Sequence, residues 1–427
     1  MAETDFKKEY TLKQQTPMIH FQSDEKGATL RASEVKPKLD KFLLTQLGKG
    51  DYSKGIAQAK EKKWLIGKGD HPALNYKMRF IAKGDSRVCP KIHKNFFGNL
   101  GQNGKYKTVM YDDTIELHIV CFSPLIQEID KLIIPFFLLH NFGTRQNKGF
   151  GSFKVVAENG VEKQYNTEEE MKKFFGEPFY VLKVSKSSPL NDIYDLYRLM
   201  KSGVNPSSVK EYDRQNQYYR AFIYQYFHRK DIGNEKAYIK MKGVAPVVGR
   251  TVNNKKHENN QTNAAGNDGG KFKYVRSMLG ICEKLEYINK VDEVSRKFGK
   301  EDKITIAISH TERDESKKIM RYASPILFKV VDGVVYILPQ KINPKMLNQE
   351  FKFSKIRKKN NTREKDGNKT NSVVINTPDV FDLNEFLSDF EVYMNKLMQT
   401  SEFQNQKIVR LRGKLEKHEV KGGEVIG

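Results

Sequence analysis

The sequence predicts an α+β protein of two domains, in which antiparallel sheets carry helical insertions. The first observation is an order of patterns in residues 1–160: strand, helix, strand, strand, helix, strand, which is typical of the ferredoxin-like fold. The second is a further series of strand and helix patterns after residue 209, which predicts another sheet. A chain of 427 residues is long enough for each domain to bury its own core.

The spacing of apolar side chains predicts the elements of the first domain. Val35 and Leu39 begin a helical repeat after Ser33, which can cap the start of a helix. Ile115 and Leu117 alternate with polar residues, as in a half-buried strand. The candidate strands cover residues 12–22, 75–82, 114–122 and 152–156, and the candidate helices begin at Ser33 and after Pro124.

The second domain is predicted over residues 209–400. Its first helix is rich in Tyr and Phe, and is either a core helix or a base-stacking platform. Residues 253–270, rich in Asn and Gly, predict a flexible insertion, whereas the Lys-rich residues 352–369 predict a basic loop. The candidate strands are 304–309, 325–331 and 334–338, the last two joined by Asp332-Gly333 as a tight turn, and a helix is predicted at 384–398.

The remaining segments lie outside the two predicted domains. Residues 161–208 are a linker or an elaboration, and residues 401–427 are a basic tail. The first domain ends at residue 160 and contains a Gly-rich loop at 141–154.

Composition narrows the class of function. Lys and Arg total 75 against 52 for Asp and Glu, and a net charge of +23 favours a polyanionic partner such as nucleic acid. The longest apolar run, 132–139, is too short to span a bilayer, so we expect a soluble protein with no membrane partner. The three cysteines form no CxxC pair, which predicts a cytoplasmic protein without a zinc site. The histidines show no metal-ligand spacing either, and we expect no metal and no cofactor.

The Gly-rich loop is the most informative stretch. Its glycines allow positive φ angles and a close approach of a polymer backbone to main-chain N–H groups, and its basic residues supply charge. Phe150 could wedge or stack between bases. The alternative is a helix-to-strand connection that needs glycine only for its turn. The loop's RNA-binding candidates are Gly143, Arg145, Lys148, Gly149, Phe150, Gly151 and Lys154.

Residues 145–152 resemble the Arg-x-x-(Lys/Arg)-Gly-Phe-Gly-Ser loop of the RAMP superfamily of CRISPR proteins. Further segments match in the same order: 16–18 with 30–33, then 321–325, and more weakly 274–280. Together they are most similar to the double-RAMP subunit at the head of type III-B (Cmr-type) effector complexes.

The resemblance implies two ferredoxin-like (RRM-like) RAMP domains and a noncatalytic role in a type III CRISPR effector complex. Such a subunit would contact the guide RNA 3′ region, the target RNA or both, alongside other effector subunits, while base pairing supplies sequence specificity. The further RNA-binding candidates are Arg31, Lys36, Lys38 and Lys41 around the first helix, and Arg276, Arg321 and Ser324 in the second domain. Their alternatives are solvated surface residues in the first group and structural pairing with Asp or Glu in the second.

Two other functions stay open. The resemblance also admits a metal-independent endoribonuclease that processes CRISPR RNA, with His20 as general base or acid. The charge and fold would equally suit a generic RNA chaperone, in which aromatic residues on the sheet stack on bases. Burial of Met78, Phe80, Leu117 and Ile119 would exclude that sheet-stacking mode.

Overall fold

A computed structural model describes the helices and antiparallel sheets of an α+β protein, which confirms the predicted class. His20 and the predicted insertion at 253–270 lie outside the described residues. The described residues are 6–19, 29–67, 72–82, 86–89, 108–111, 114–183, 188–204, 219–244, 271–281, 284–288, 303–319, 321–356, 372–405, 409, 411 and 413–420.

The described helices and strands are numbered in chain order. The α-helices are α1 (Ala32–Leu47), α2 (Tyr52–Glu61), α3 (Leu125–Leu139), α4 (Thr167–Phe175), α5 (Pro189–Tyr197), α6 (Phe222–Arg229), α7 (Glu235–Met241), α8 (Leu383–Met398) and α9 (Ser401–Asn405). A π-helical turn (Arg198–Ser202) and 3₁₀ turns at Val275–Leu279, Glu315–Lys317 and Pro344–Met346 accompany them. The strands are β1 (Lys7–Gln14), β2 (Met18–Ile19), β3 (Leu65–Ile66), β4 (Ala73–Leu74), β5 (Lys77–Ala82), β6 (Ser86–Cys89), β7 (Thr108–Tyr111), β8 (Thr114–Val120), β9 (Phe153–Glu158), β10 (Val161–Glu162), β11 (Phe179–Leu182), β12 (Gly233–Asn234), β13 (Phe272–Lys273), β14 (Lys284–Ile288), β15 (Lys303–His310), β16 (Ile326–Val331), β17 (Val334–Pro339), β18 (Glu350–Ile356), β19 (Ser372–Asn376) and β20 (Leu415–His418).

By internal contacts the chain divides into two compact units. Unit 1 comprises residues 1–196, 326–339 and 391–427, and unit 2 comprises residues 197–325 and 340–390. The domain boundaries drawn from the sequence at 160 and 209 stay predictions.

Unit 1 is built on a five-stranded antiparallel sheet in the order β10-β9-β1-β8-β5. Leu12 on β1 faces Ile115 on β8 and Val155 on β9, and all three side chains are buried. Because side chains alternate along a strand, this register turns one apolar row toward α1 and α3.

A second sheet of unit 1 contains a hairpin from much later in the sequence. Its order is β16-β17-β11-β20, with antiparallel pairing throughout. Asp332 and Gly333 join β16 to β17 with φ angles of 48° and 79°, as a tight hairpin turn requires. The segment predicted as a linker or elaboration therefore supplies strand β11, and the predicted basic tail supplies strand β20.

Unit 2 contains a four-stranded antiparallel sheet in the order β14-β15-β18-β19. Helix α6 is a core helix in the described structure, because Phe222, Tyr226 and Phe227 are buried and their rings contact Phe381 or Phe386. The predicted basic loop is wrong over residues 352–356, which continue β18 because Phe353 alternates into the core. Residues 357–369 lie outside the described residues.

Two sequence predictions about the N-terminal elements are also wrong in detail. The first strand, predicted from Leu12 with an interruption at Thr16-Pro17, divides into β1 and β2 at that interruption, but β1 begins five residues earlier, at Lys7. Helix α1 has Arg31 rather than Ser33 at its N-cap, and no side chain caps it. Among the described residues, none of the helices has the length and hydropathy that a bilayer crossing requires.

Candidate nucleic-acid interface

The Gly-rich loop connects α3 to β9 and is packed closely against its own protein. Gly143, Gly149 and Gly151 have φ angles of 79°, 82° and 68°, where only glycine is unstrained. A Cβ atom at Gly151 would overlap the carbonyl oxygen of Phe142, and one at Gly149 would overlap the Ile193 side chain. The glycines are therefore needed for internal packing.

The N–H groups of the three glycines also bond within the protein. Gly143 donates to the Glu34 carboxylate at 2.7 Å, Gly149 to the Gln146 carbonyl at 3.3 Å, and Gly151 to the Pro17 carbonyl at 3.0 Å. The glycines thus fix the shape of the loop through bonds within the protein.

Strand β16 holds the loop at both of its ends. The amide Nδ2 of Asn141 donates to the carbonyl oxygen of Phe328 at 2.8 Å, and the hydroxyl of Ser152 donates to that of Val330 at 2.5 Å. Lys329 lies between the two acceptor residues, Phe328 and Val330, in the sequence. The loop and the hairpin are therefore one structural element of unit 1, although about 180 residues separate them in the chain.

Lys329 lies next to the candidate loop and was not predicted from the sequence. Its side chain is fully buried, and its Nζ donates to the carbonyl oxygens of His140 at 2.8 Å and Phe153 at 3.2 Å. Burial lowers the pKa of this amine well below its ordinary value. The signal available in the sequence was a lone lysine within the otherwise apolar strand 326–331.

Helix α1 is tied to the loop through Lys38. Its Nζ donates to the Asn141 carbonyl at 3.1 Å and to Oε1 of Gln146 at 2.7 Å, and it lies 4.9 Å from the centroid of the Phe142 ring. Burial lowers the pKa of Lys38, against the opposing influence of Glu34. These contacts hold helix α1 and the loop in a fixed arrangement next to each other.

The other basic candidates near the loop differ in exposure. Arg145 is half-buried with a φ of 61°, and burial lowers the pKa of its guanidinium. Arg31 and Lys41 are exposed on α1 and its N-cap. The Nζ atom of Lys148 is buried, and the ring of Phe150 has no exposed surface, so it presents no face to a base.

Two of the predicted RNA-binding cations, Lys36 and Lys154, form ion pairs with carboxylates of the protein. Lys36 forms a salt bridge with Asp40 at 2.8 Å and donates to the Leu74 carbonyl at 2.9 Å. Lys154 pairs with Asp332 at 2.6 Å on the hairpin turn. Among the described residues, no group of three or more His, Cys, Asp or Glu side chains could hold a metal ion.

Comparison with known proteins places the chain in a family. A model of the Cmr1 N-terminal domain matches residues 5–204, and a model of the Cmr1 C-terminal domain matches residues 218–413. The chain belongs to the Cmr1 family. This membership confirms the resemblance to the RAMP head subunit of type III-B complexes, and it implies a subunit of such an effector complex.

A solved structure and the curated proteins add little to the family assignment. The crystal structure of Cmr1 from Pyrococcus furiosus in its apo form is 12% identical to this chain. The match covers 79% of this chain and 89% of that one, with a TM-score of 0.38. No curated protein matches the sequence.

In unit 2 of this Cmr1-family chain, Arg276 occupies a structural position. Its Nε pairs with the carboxylate of Glu235 at 2.5 Å, and Glu235 is fully buried. That carboxylate also accepts from the hydroxyl of Tyr224 at 2.8 Å and from the N–H of Val275 at 3.2 Å. The alternative of structural pairing, which the sequence left open, describes this arginine.

The remaining RNA-binding candidates of unit 2, Arg321 and Ser324, lie in the segment 321–325, which is close to the segment 274–280 that contains Arg276. Ile281 donates its N–H to the Tyr322 carbonyl at 3.1 Å, which brings the 274–280 and 321–325 segments together. Arg321 is exposed, and Ser324 is buried.

Four apolar residues of the five-stranded sheet contact the core of unit 1. Leu117 and Ile119 are fully buried, and Met78 and Phe80 are partly buried against the same cluster. Because Met78 and Phe80 are only partly buried, the alternative of base stacking on this sheet stays open.

Proposed function

We propose that this chain is a noncatalytic RNA-binding subunit of a type III-B CRISPR effector. It contacts the guide RNA 3′ region, the target RNA or both through a basic surface made of Arg31, Lys38, Lys41 and Arg145. The observation that carries the proposal is the pair of hydrogen bonds from Lys38 to Asn141 and Gln146, because they join the α1 cations to the loop.

The electrostatics of this surface suit a phosphate backbone. The chain has a net charge of +23. When its cations neutralise RNA phosphates, the counterions of those phosphates are released, so the affinity for RNA depends on salt. Burial disfavours the charged forms of Lys38 and Arg145, and a nearby phosphate would oppose that effect. A surface that contacts only backbone suffices, since base pairing reads the sequence.

We also propose that the five-stranded sheet belongs to a ferredoxin-like RAMP domain. Counting only β1, β5, β8 and β9, which alternate with α1 and α3 in the order βαββαβ, the strands lie in the order 4-1-3-2 and all pair antiparallel. That order supports the split βαβ arrangement that the sequence predicted.

Membership of the Cmr1 family supports other effector subunits and RNA as partners. The absence of any CxxC pair in the sequence supports a reducing, cytoplasmic location.

The test measures binding and cleavage of labelled repeat-containing RNA on one gel, without metal. The variant Lys41→Ala/Arg145→Ala removes two cations of the proposed surface, and Lys54→Ala/Lys60→Ala removes two exposed lysines of α2 as the matched control. We expect RNA binding without cleavage, weakened about tenfold or more by the first variant and far less by the control.

Two results would contradict the proposal. The first is equal weakening by both double variants, which would leave the basic surface with no specific role. The second is site-specific cleavage that His20→Ala abolishes, which would make the chain a guide-processing endoribonuclease.

A further inference from the structure

Unit 1 contains a groove of about 690 Å³ between β1, α3 and β9. None of the residues that line it belongs to the proposed basic surface. Its floor is formed by buried side chains, among them Tyr10, Ile133 and Val155. A volume of this size is in the usual range for a bound small molecule or a single nucleotide.

Two exposed aromatic rings stand at the mouth of the groove. Phe122 is 79% exposed and Phe6 is 48% exposed, and their ring centroids are 5.4 Å apart at an interplanar angle of 37°. The carbonyl of Phe6 accepts the N–H of Cys121 at 3.0 Å, which holds the two chain segments together. The two rings contact each other but leave much of their apolar surface in water, which favours a ligand with an aromatic face.

One wall of the groove is ionic. Lys8 bridges the carboxylates of Asp130 and Glu158 at 2.8 Å each, and the Tyr10 hydroxyl donates to Asp130 at 2.9 Å. Burial raises the pKa of Glu158, but hydrogen bonds from Lys163 and Lys8 lower it to about 2. Glu158 is therefore ionised at neutral pH and only accepts hydrogen bonds.

We propose that this groove binds one unpaired nucleobase of an RNA strand. The base stacks on Phe122 and Phe6, its amino or imino N–H groups donate to Asp130 or Glu158, and the exposed Lys131 lies beside the adjoining phosphate. The inference rests on the proposed RNA binding and adds a second contact to it. An ionic wall argues against an apolar protein segment as the occupant, because such a segment would leave those charges poorly paired.

The test uses the full chain and short single-stranded RNAs that carry one 2-aminopurine at each position in turn. A stacked 2-aminopurine loses fluorescence, so we expect quenching at one position and none there with Phe122→Ala. RNA affinity should fall roughly fivefold to 150-fold in Phe122→Ala, the range for losing one base-aromatic stack. Phe122→Tyr keeps the ring and should retain both signals, and Val161→Ala, another exposed apolar residue of unit 1, is the matched control.

The outcomes separate this inference from the proposed function. If the wild-type chain binds RNA but Phe122→Ala changes neither affinity nor quenching, the groove is not a base site and the basic surface stands alone. If Phe122→Leu retains full affinity, an apolar contact rather than stacking is at work, and the inference is again overturned. If the wild-type chain binds no RNA, the proposed function itself fails.

Discussion

Arg145 in unit 1 and Arg276 in unit 2 belong to motifs of the same resemblance, yet the two arginines differ in backbone conformation. Arg145 is half-buried in a left-handed conformation, and burial is the cause of its lowered pKa. Arg276 pairs with Glu235, a fully buried carboxylate that also accepts two other hydrogen bonds. A motif match therefore locates a basic residue, but, as the contacts of Arg276 show, such a residue can serve to stabilise the fold.

The largest expected effect comes from removing Glu235, the carboxylate that pairs with Arg276. Glu235→Ala leaves the Arg276 guanidinium, the Tyr224 hydroxyl and the Val275 N–H without this acceptor. We expect the free energy of unfolding to fall by about 3–5 kcal/mol, measured by urea denaturation. Glu61→Ala, at an exposed glutamate, is the control and should cost less than about 0.5 kcal/mol.

A double-mutant cycle checks the cause. Because Arg276→Ala and Glu235→Ala break the same pair, the double variant should lose less stability than the sum of the two single losses. Additive losses would mean that the ion pair contributes nothing to unit 2.

A second test concerns the loop that carries Arg145. Gly151→Ala forces a left-handed alanine and an overlap with the Phe142 carbonyl, so we expect a loss of about 2–5 kcal/mol. Gly160→Ala is the control at a similar positive φ, 79° against 68°, but its Cβ would meet nothing within 4 Å, so it should lose only about 1–2 kcal/mol. Equal thermal stability of the two variants would contradict the close packing of the loop.

The third test follows stability against pH around the same loop. Burial lowers the pKa of His140 to about 4, so the unfolded chain binds more protons than the folded chain between about pH 4 and 6.5. Stability should therefore fall as the pH drops from 6.5 to about 4, by on the order of 2–3 kcal/mol from this group. His140→Phe keeps an aromatic ring beside Phe42 and Phe136 and should flatten that part of the curve.

Lys329 should make stability rise with increasing pH, as His140 does, but in the alkaline range. Its pKa is lowered in the folded chain, so its contribution to stability rises as the pH increases toward the unfolded value of 10.5. Lys329→Met should remove that rise in a denaturation series up to pH 10. A wild-type curve that is as flat as that of the variant would show that the amine is solvated.

Local patterns predicted α1, α3, β5, β8 and β9 of unit 1, but not what surrounds the loop. The helical repeat of Val35 and Leu39 and the alternation of Ile115 and Leu117 each report burial on one face, and both elements formed as expected. The partners of the loop come from β16, about 180 residues later, and no local pattern encodes such a pairing.

The candidate site was predictable only in part for a related reason. Charge marked Lys38 and Arg145, but a sequence cannot show that Lys36 turns to Asp40 or that Phe150 is buried. Phe6 and Phe122 escaped notice because an isolated Phe in a sequence is usually a core residue.

The most direct test of the account is the salt dependence of RNA affinity for Arg145→Ala and Arg276→Ala, each compared with the wild-type chain. We expect Arg145→Ala to reduce the slope of log affinity against log salt by about one, as the loss of one phosphate contact does. Arg276→Ala should lower stability and leave the slope of the folded protein unchanged. The reverse pattern, with the slope altered only in Arg276→Ala, would contradict the assignment of the two arginines and move the RNA surface to unit 2.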